Sequence, residues 1–321
     1  MQQTKLILID GITGSGKSST SQYLNQVLSE NQIASIWYHE ESSNHPLAYE
    51  KDVEVFENEH EMKHFMTSII SLWASFTKKA IDSDQVHIIE SHFYQDTVRI
   101  LFQNLVPISM IKEFTNKIQD IIKPLNPYFI YFHEPDVHMA INTIWERRGE
   151  RWKNWFISSD IQTPFVKSLT MKDEDRVIQL WKSYQDLTDI LFNEFMFTKI
   201  RIDKNDYTWP DIKKEICACL DITYLEASIE KALSHLNDYC GTYHNEDQSK
   251  TCTIKLINNE LVTDLKWKDI TLIPIKENKH QFILSSFPVI ITFDTDTITN
   301  SLKFAVHGSY SDLNGQTFIK F

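Results

Sequence analysis

Residues 5 to 20 constrain this chain more than any other stretch, because a short apolar run there breaks directly into a glycine-rich turn. The run that ends at Asp10 has the length and β-branched composition of a buried strand. The turn after it fits the pattern G-x-x-x-x-G-K-[ST] at Gly11, Gly16, Lys17 and Ser18. A strand, a glycine turn and a helix start in this order predict a phosphate-binding loop.

The residue types in the turn suit this chemistry. Gly11, Gly14 and Gly16 carry no Cβ, so successive backbone N–H groups can face phosphate oxygens. Lys17 is expected to reach the β- and γ-phosphates, and the Ser18 hydroxyl to join the coordination shell of Mg²⁺. The full set of expected phosphate contacts is Gly11, Thr13, Gly14, Ser15, Gly16, Lys17, Ser18 and Ser19.

Composition narrows the classes of partner. The chain has 321 residues and is 42% hydrophobic, which favours two packed domains. A net charge of -12 and a pI near 5.5 argue against nucleic acid or an anionic membrane surface as partner, and favour a small soluble metabolite. No apolar window is long enough to span a membrane. The spacing of the 4 cysteines suits free thiols in a reducing cytoplasm rather than a metal site.

Acidic residues follow two further predicted strands, at the end where open parallel sheets bind ligands. Residues 33–38 lead into Glu40 and Glu41, and residues 85–89 lead into Glu90 and then His92. We expect Glu90 to hold Mg²⁺ or its water, or to accept a proton from an attacking hydroxyl. Glu40, Glu41 and His92 are expected on the substrate side. The alternative for each carboxylate is an ordinary solvated side chain at a strand end. Residues 93–104 read as helical.

A long helix is predicted over residues 53–82, and it contains the zinc-protease pattern H-E-x-x-H. His60 and His64 lie four residues apart, so they share a helix face and can bind zinc. The flanking residues are charged and no third ligand is evident, which favours a solvated face or one turned towards a second substrate.

Three arginines follow the fourth predicted strand, residues 128–133, and the helix that begins at Asp136. Arg147, Arg148 and Arg151 can favour the helix dipole, or they can act as a lid that supplies cationic donors during phosphoryl transfer. The stretch from there to Thr170 reads as long and irregular, which is typical of a lid.

In the order of these pieces, residues 1–222 resemble the nucleoside and nucleotide kinase group of P-loop proteins, especially thymidylate kinases and deoxynucleoside kinases. Glu90 stands where that group has the acidic residue of its Asp-Arg or Glu-Arg-Ser signature. Arg147, Arg148 and Arg151 stand where it has lid arginines. The resemblance implies an α/β domain with a five-stranded parallel sheet, ATP and Mg²⁺ as cofactors, and a phosphotransferase whose catalytic residues are Lys17, Glu90 and the three arginines.

This chain departs from that group where the acceptor binds. Ser91 stands in place of the substrate-contacting arginine, and the tip of the second strand also lacks one. An acceptor that already carries phosphate would lack its cationic clamp. The sequence therefore favours an uncharged or cationic acceptor with a free hydroxyl, such as a nucleoside, a sugar-like compound or an antibiotic. The alternatives are a thymidylate-like nucleoside monophosphate kinase and a non-catalytic nucleotide-binding switch.

Beyond residue 222 the hydrophobic period changes. Residues 223–238 read as a connecting helix. Residues 239–321 contain about eight short alternating runs, which predict a small antiparallel β-barrel with a first tight turn at Asn258-Asn259. Its motifs, Tyr239-x-Gly241-x-Tyr243 among them, resemble the lipocalin-like β-domain appended to many β-lactamase-like serine hydrolases. We expect this domain to cover or shape the kinase pocket, or to mediate association such as a homodimer.

Overall fold

The computed structural model describes residues 4–49, 54–203, 208–224, 235–275, 278–295, 301–310 and 312–321. The chain divides into two compact units. The first comprises Met1–Glu40 and His45–Tyr224, and the second comprises Glu41–Asn44 and Leu225–Phe321. The short segment Glu41–Asn44 therefore belongs to the second unit although its sequence neighbours belong to the first.

A five-stranded parallel sheet forms the centre of the first unit. Its strands lie in the order β2-β3-β1-β4-β5, so β1 is the middle strand. The strands are β1 (Leu6–Gly11), β2 (Ser35–Tyr38), β3 (Val86–Glu90), β4 (Tyr128–His133) and β5 (Thr198–Asp203). Every residue of β1 is buried, as expected for a strand that pairs on both edges and is covered on both faces.

Helices lie between these parallel strands in the sequence, and one more follows β5. They are α1 (Lys17–Glu30), α2 (Glu59–Ile81), α3 (Val98–Gln103), α4 (Ile108–Ile122), α5 (Val137–Arg148), α6 (Glu150–Asp160), α7 (Pro164–Lys167), α8 (Asp173–Glu194) and α9 (Trp209–Cys219). Each long helix turns an apolar stripe towards the sheet. Trp73 of α2, Ile118 of α4 and Tyr184 of α8 are all buried in one hydrophobic core with Leu8 of β1.

The second unit is a closed antiparallel barrel with the strand order β10-β11-β12-β13-β6-β7-β8-β9. Its strands are β6 (Gly241–Asn245), β7 (Thr251–Ile257), β8 (Glu260–Thr263), β9 (Ile270–Ile275), β10 (Asn278–Leu284), β11 (Val289–Thr295), β12 (Leu302–Gly308) and β13 (Thr317–Lys320). Alternate side chains point inward, and aromatic rings such as Tyr243, Phe282 and Phe304 fill the interior.

This architecture confirms the predicted fold class. The tight turn at Asn258-Asn259 is also confirmed, because both residues have positive φ values of 50° and 65° and join the paired residues Ile257 and Glu260. Asparagine tolerates this left-handed conformation better than other non-glycine residues do. The short alternating runs fall on the eight observed barrel strands, with small shifts at their ends.

Two helix predictions and one prediction of irregular structure were wrong in extent. α2 begins at Glu59 and not near residue 53, because the Asn58 side chain caps it by accepting the N–H of Glu61. The stretch 93–104 is helical only from Val98. The stretch up to Thr170, predicted to be irregular, contains α6 and α7, which removes the irregularity that supported a lid.

The predicted connecting helix, residues 223–238, falls largely on residues 225–234, which lie outside the described part of the chain. Its last residues contribute to a short 3-10 turn, Leu236–Tyr239. All four cysteines have free thiols. Among the described helices, none combines the length and the apolarity that a membrane crossing needs.

The Asn258-Asn259 turn gives a test of what holds the β7–β8 hairpin. Asn259→Val places a β-branched residue at a φ of 65°, which should cost the folded protein about 1–2 kcal/mol, whereas Asn259→Gly removes the strain. Thermal unfolding followed by circular dichroism should show a lower midpoint for the valine variant only. Equal midpoints for the two variants would show that the turn is not constrained.

Candidate functional site

The glycine-rich loop, Gly11–Ser18, joins the carboxyl end of β1 to α1 in a conformation that requires glycine at two positions. Gly14 has a φ of 75°, and a Cβ there would lie 2.2 Å from the Ile144 side chain of α5. A Cβ on Gly11 would lie 2.6 Å from the Phe132 carbonyl oxygen of β4. These contacts exclude side chains at both positions. Within the loop, Thr13 and Ser15 are buried, and Ser18 and Ser19 are partly exposed.

Lys17 is buried at the first position of α1, with only 5% of its surface exposed. Its Nζ donates to the Ile12 carbonyl at 2.9 Å and to Gln95 Oε1 at 2.8 Å. Both acceptors are neutral, so they hold the ammonium group beside the glycine-rich loop without cancelling its charge. Lysine carries three N–H donors, and two are accounted for by these bonds.

Ser18 and Glu90 meet at the carboxyl ends of β1 and β3. The Ser18 hydroxyl donates to Glu90 Oε1 at 2.8 Å, and Trp37 Nε1 donates to Glu90 Oε2 at 2.9 Å. His39 Nε2 lies 3.6 Å from Glu90 Oε1. Glu90 is fully buried, so these three neighbours fix its orientation. Ser18 and Glu90, each predicted to bind Mg²⁺, are thus in direct contact.

Asp10 organises the loop that follows β3. Its carboxylate accepts the N–H of Gly11 at 2.9 Å, of Tyr94 at 2.7 Å and of Gln95 at 3.2 Å. Burial raises the pKa of Asp10 to about 8, while Lys17 and the backbone N–H donors act in the opposite direction. This carboxylate explains why residues 91–97 form a turn instead of the predicted helix, since its oxygens take N–H groups at the start of that stretch.

Glu40 lies just beyond β2, and the Gln95 side chain contacts it. Gln95 Nε2 donates to Glu40 Oε2 at 3.2 Å. Burial alone would raise the pKa of Glu40, but the charges of Lys17 and His39, a hydrogen bond from the Ser91 side chain and the charge of Arg148 outweigh it and lower the pKa to about 2. A permanently ionised carboxylate therefore stands beside the glycine-rich loop.

Two imidazoles stack on the same side of the site. The rings of His45 and His92 are 3.6 Å apart between centroids and nearly parallel. His92 Nδ1 lies 3.1 Å from Asp96 Oδ2. Burial, together with the neighbouring His92 and His39, lowers the pKa of His45 to about 2, so His45 is neutral and its Nδ1 accepts the Leu47 N–H at 3.1 Å.

The structure separates the three predicted lid arginines. Arg148 lies within electrostatic reach of Glu40, and its guanidinium packs over the Trp152 ring at 4.4 Å. Arg147 and Arg151 are exposed. Only Arg148 therefore joins the charged groups around Glu40 in this conformation.

Glu41 belongs to the second unit and is not grouped with Glu40. The Tyr310 hydroxyl donates to Glu41 Oε2 at 2.6 Å, and Ser43 N donates to the Ser309 carbonyl at 3.1 Å. Ser42 and Tyr310 form an isolated antiparallel bridge. These bonds give Glu41 a structural partner within its own unit.

The H-E-x-x-H pattern occupies the first turns of α2. Glu61 Oε2 accepts the Glu57 N–H at 2.7 Å, and the Tyr49 hydroxyl and His64 Nδ1 are 3.2 Å apart. His60 is exposed. In the described ranges of the chain, no group of three or more His, Cys, Asp or Glu side chains is arranged to hold a metal ion. The contacts of Glu61 and His64 are those of a capped, solvated helix start.

Sequence patterns missed four residues of the site: Asp10, Trp37, Gln95 and Asp96. Asp10 is the last residue before the glycine-rich loop, and this position was a usable signal. Trp37 reads as an ordinary apolar strand residue. Gln95 and Asp96 fall in a stretch whose periodicity looks helical, and their places are seen only from the bond of Gln95 to Asp10 and the contact of Asp96 with His92.

Comparison with known proteins identifies no relative. No protein-family model matches this chain, and no curated protein matches it either. The function is therefore inferred from the arrangement of Lys17, Ser18, Glu40 and Glu90 together with the fold.

Gly14 allows the steric demand of the loop to be measured. Gly14→Ala adds both a strained φ and a clash with Ile144, whereas Gly149→Ala adds a comparable strain, at a φ of 85°, with no atom within 4 Å. Urea unfolding should show Gly14→Ala to be less stable than Gly149→Ala by about 1–3 kcal/mol, the usual cost of overpacking. Equal losses would mean that α5 yields to the added methyl group.

The lowered pKa of His45 predicts that the folded protein loses stability in acid. Its pKa falls from 6.5 to about 2 on folding, so below pH 6.5 the unfolded chain binds a proton that the folded chain does not. The contribution of His45 to the free energy of unfolding is therefore greatest above pH 6.5. It falls by up to about 1.4 kcal/mol per pH unit as the pH decreases below that value. His45→Asn, which keeps an acceptor for the Leu47 N–H, should flatten this slope in urea titrations between pH 5 and 7.

Leu47→Ala is the control for this measurement. It removes a buried, uncharged side chain, so it should lower stability by a similar amount at every pH. A His45→Asn slope that matches the wild type would contradict the assignment.

Proposed function

We propose that this protein is a kinase that transfers the γ-phosphoryl group of Mg·ATP to a hydroxyl of a small acceptor. The observation that supports this most is the meeting of Lys17, Ser18, Glu90 and Glu40 at the carboxyl ends of β1, β3 and β2. A cation, a hydroxyl–carboxylate pair and a second carboxylate are the groups that phosphoryl transfer requires.

The nucleotide phosphates fit the glycine-rich loop and Lys17. Gly14 is exposed in the loop, and α1 begins at Lys17 with its positive dipole end facing the loop. Lys17 retains donor capacity beyond its bonds to Ile12 and Gln95. A charge-assisted bond from this ammonium group to a phosphate oxygen is stronger than either neutral bond.

Mg²⁺ fits the pair formed by Ser18 and Glu90. Both residues present oxygen, which this ion prefers, and a kinase site typically supplies one or two carboxylates while the phosphates and waters complete the shell. The ion would neutralise charge between the β- and γ-phosphates. Trp37 and Ser18 hold Glu90 in place, which suits a residue that binds the ion or its water.

The acceptor side is acidic. Glu40 and Asp96 interact electrostatically there, and Arg99 in α3 pairs with Glu54 at 3.3 Å and with Asp160 at 3.5 Å. A phosphorylated acceptor would therefore be repelled by these carboxylates, and the charge of Arg148 already acts on Glu40. These charges support an uncharged or cationic acceptor with a free hydroxyl, such as a nucleoside, a sugar-like compound or an antibiotic.

In the proposed reaction, the acceptor hydroxyl oxygen forms a bond to the γ-phosphorus while the bond from that phosphorus to the β-phosphate oxygen breaks, and ADP leaves. Glu90 would take the hydroxyl proton, and Glu40, which stays ionised, would orient the acceptor hydroxyl by accepting a hydrogen bond from it. Arg148 can neutralise charge on the transferring group. Positioning and electrostatics supply most of the acceleration, since the transition state is loose. The free thiols of the chain suit the cytoplasm, where ATP is available.

The proposal predicts a phosphorylated product that depends on Glu90. Wild type, Glu90→Gln and Glu113→Gln should be incubated with Mg·ATP and a panel of nucleosides, nucleoside monophosphates, sugars and aminocyclitols, with products identified by mass spectrometry. Loss of the Glu90 charge should reduce the rate at least about 100-fold. Glu113 is an exposed glutamate of α4, 72% accessible, so its variant should act as wild type.

Each outcome of this panel separates the candidate functions. A product from a nucleoside, sugar or aminocyclitol supports the proposal, and a product from monophosphates alone would instead favour a thymidylate-like kinase. ATP binding without any product, unaffected by Glu90→Gln, would favour a nucleotide-binding switch.

A further inference from the structure

Gln95 joins the lysine of the nucleotide side to the carboxylate of the acceptor side. Its Oε1 accepts from Lys17 Nζ at 2.8 Å, and its Nε2 donates to Glu40 Oε2 at 3.2 Å. The orientation of this amide is fixed by chemistry, because an ammonium group can only donate and an ionised carboxylate can only accept. A neutral side chain thus bridges the two opposite charges.

We propose that Gln95 is a positioning residue that keeps Lys17 and Glu40 from forming a direct ion pair. An ammonium group neutralised by a carboxylate would attract phosphate less, and the carboxylate would no longer be available to the acceptor hydroxyl. The amide satisfies one hydrogen-bonding position on each group and leaves both charges intact. This inference rests on the proposed kinase function, and it concerns how the same site keeps its two halves separate.

The backbone around Gln95 is anchored firmly enough for this role. Its N–H donates to Asp10 Oδ1 at 3.2 Å, and the preceding Tyr94 N–H donates to Asp10 Oδ2 at 2.7 Å. The same Asp10 carboxylate also binds Gly11 N at the start of the glycine-rich loop. Gln95 and Lys17 are therefore positioned from a common point, and their separation does not depend on a flexible loop end.

The Gln95 amide separates two groups of opposite charge, Lys17 and Glu40. Lys17 lowers the pKa of Glu40, so the two charges attract each other across the side chain of Gln95. Lys17 has a long flexible stem, and removal of the intervening amide would let its Nζ approach Glu40. A close ion pair in a partly buried site is strong enough to compete with an incoming phosphate.

This mechanism predicts a rescue that a merely structural role would not give. Gln95→Ala should weaken binding of Mg·ATP about tenfold, the loss of one charge-assisted bond. Adding Glu40→Gln to that variant removes the competing carboxylate and should restore affinity to within about threefold of wild type. Glu40→Gln alone should change affinity less than threefold, because the amide already separates the charges. Isothermal titration calorimetry with Mg·ATP and no acceptor measures all four proteins.

Gln26→Ala is the matched control. Gln26 Nε2 donates to Glu30 Oε1 at the same 3.2 Å, but this pair is exposed on α1, so its loss should leave Mg·ATP affinity unchanged. Thermal melts check that each variant is folded, and Gln95→Ser serves if the alanine variant is not.

The results of these titrations test the role of Gln95 separately from the proposed kinase function. Weak binding by Gln95→Ala that Glu40→Gln does not rescue overturns the spacer role while leaving the kinase proposal intact. Unchanged binding by Gln95→Ala overturns it in the same way. Failure of the wild type to bind Mg·ATP overturns both.

Discussion

The site depends on one buried carboxyl group, that of Asp10. Burying a polar group is costly unless hydrogen bonds satisfy it, and Asp10 accepts hydrogen bonds from the N–H groups of Gly11, Tyr94 and Gln95. These donors lie on two different segments of the chain. The bonds therefore tie the end of the central strand to the turn after β3, and both the glycine-rich loop and the proposed acceptor side take their positions from this point. The parallel sheet brings the two segments near each other, and the hydrogen bonds to Asp10 fix their relative position.

Local chemistry made much of the fold predictable. The apolar run of β1 and the glycines after it predict a strand and a turn without reference to any other residue, and the structure has both. The barrel strands alternate in polarity because one side of each faces the aromatic interior. Asn258 and Asn259 signal their turn because few other residues accept positive φ. In each case the information lies within about ten residues.

The errors arose where distant residues decide local structure. The periodicity of residues 93–104 is helical, yet Asp10 draws N–H groups from that stretch and delays the helix until Val98. The arrangement of Arg99 with Glu54 and Asp160 likewise joins three segments, and no spacing in the sequence reveals it. Lys17 could be proposed from the sequence because it belongs to the glycine-rich pattern, and Glu90 because it stands at the end of a strand. Gln95 could not, since a lone glutamine carries no such signal.

The segment Glu41–Asn44 has a consequence for the order in which the chain is made. It is placed in the second unit through Ser309 and Tyr310, and Ser43 is 266 residues from its partner Ser309. The ribosome synthesises the residues of the parallel sheet long before it synthesises Ser309 and Tyr310. The first unit of the nascent chain can therefore fold around its sheet before the segment Glu41–Asn44 has partners. Its backbone groups stay hydrated during that interval. The segment Glu41–Asn44 therefore reaches its final structure late in biosynthesis, because residues 309 and 310 lie near the end of the sequence.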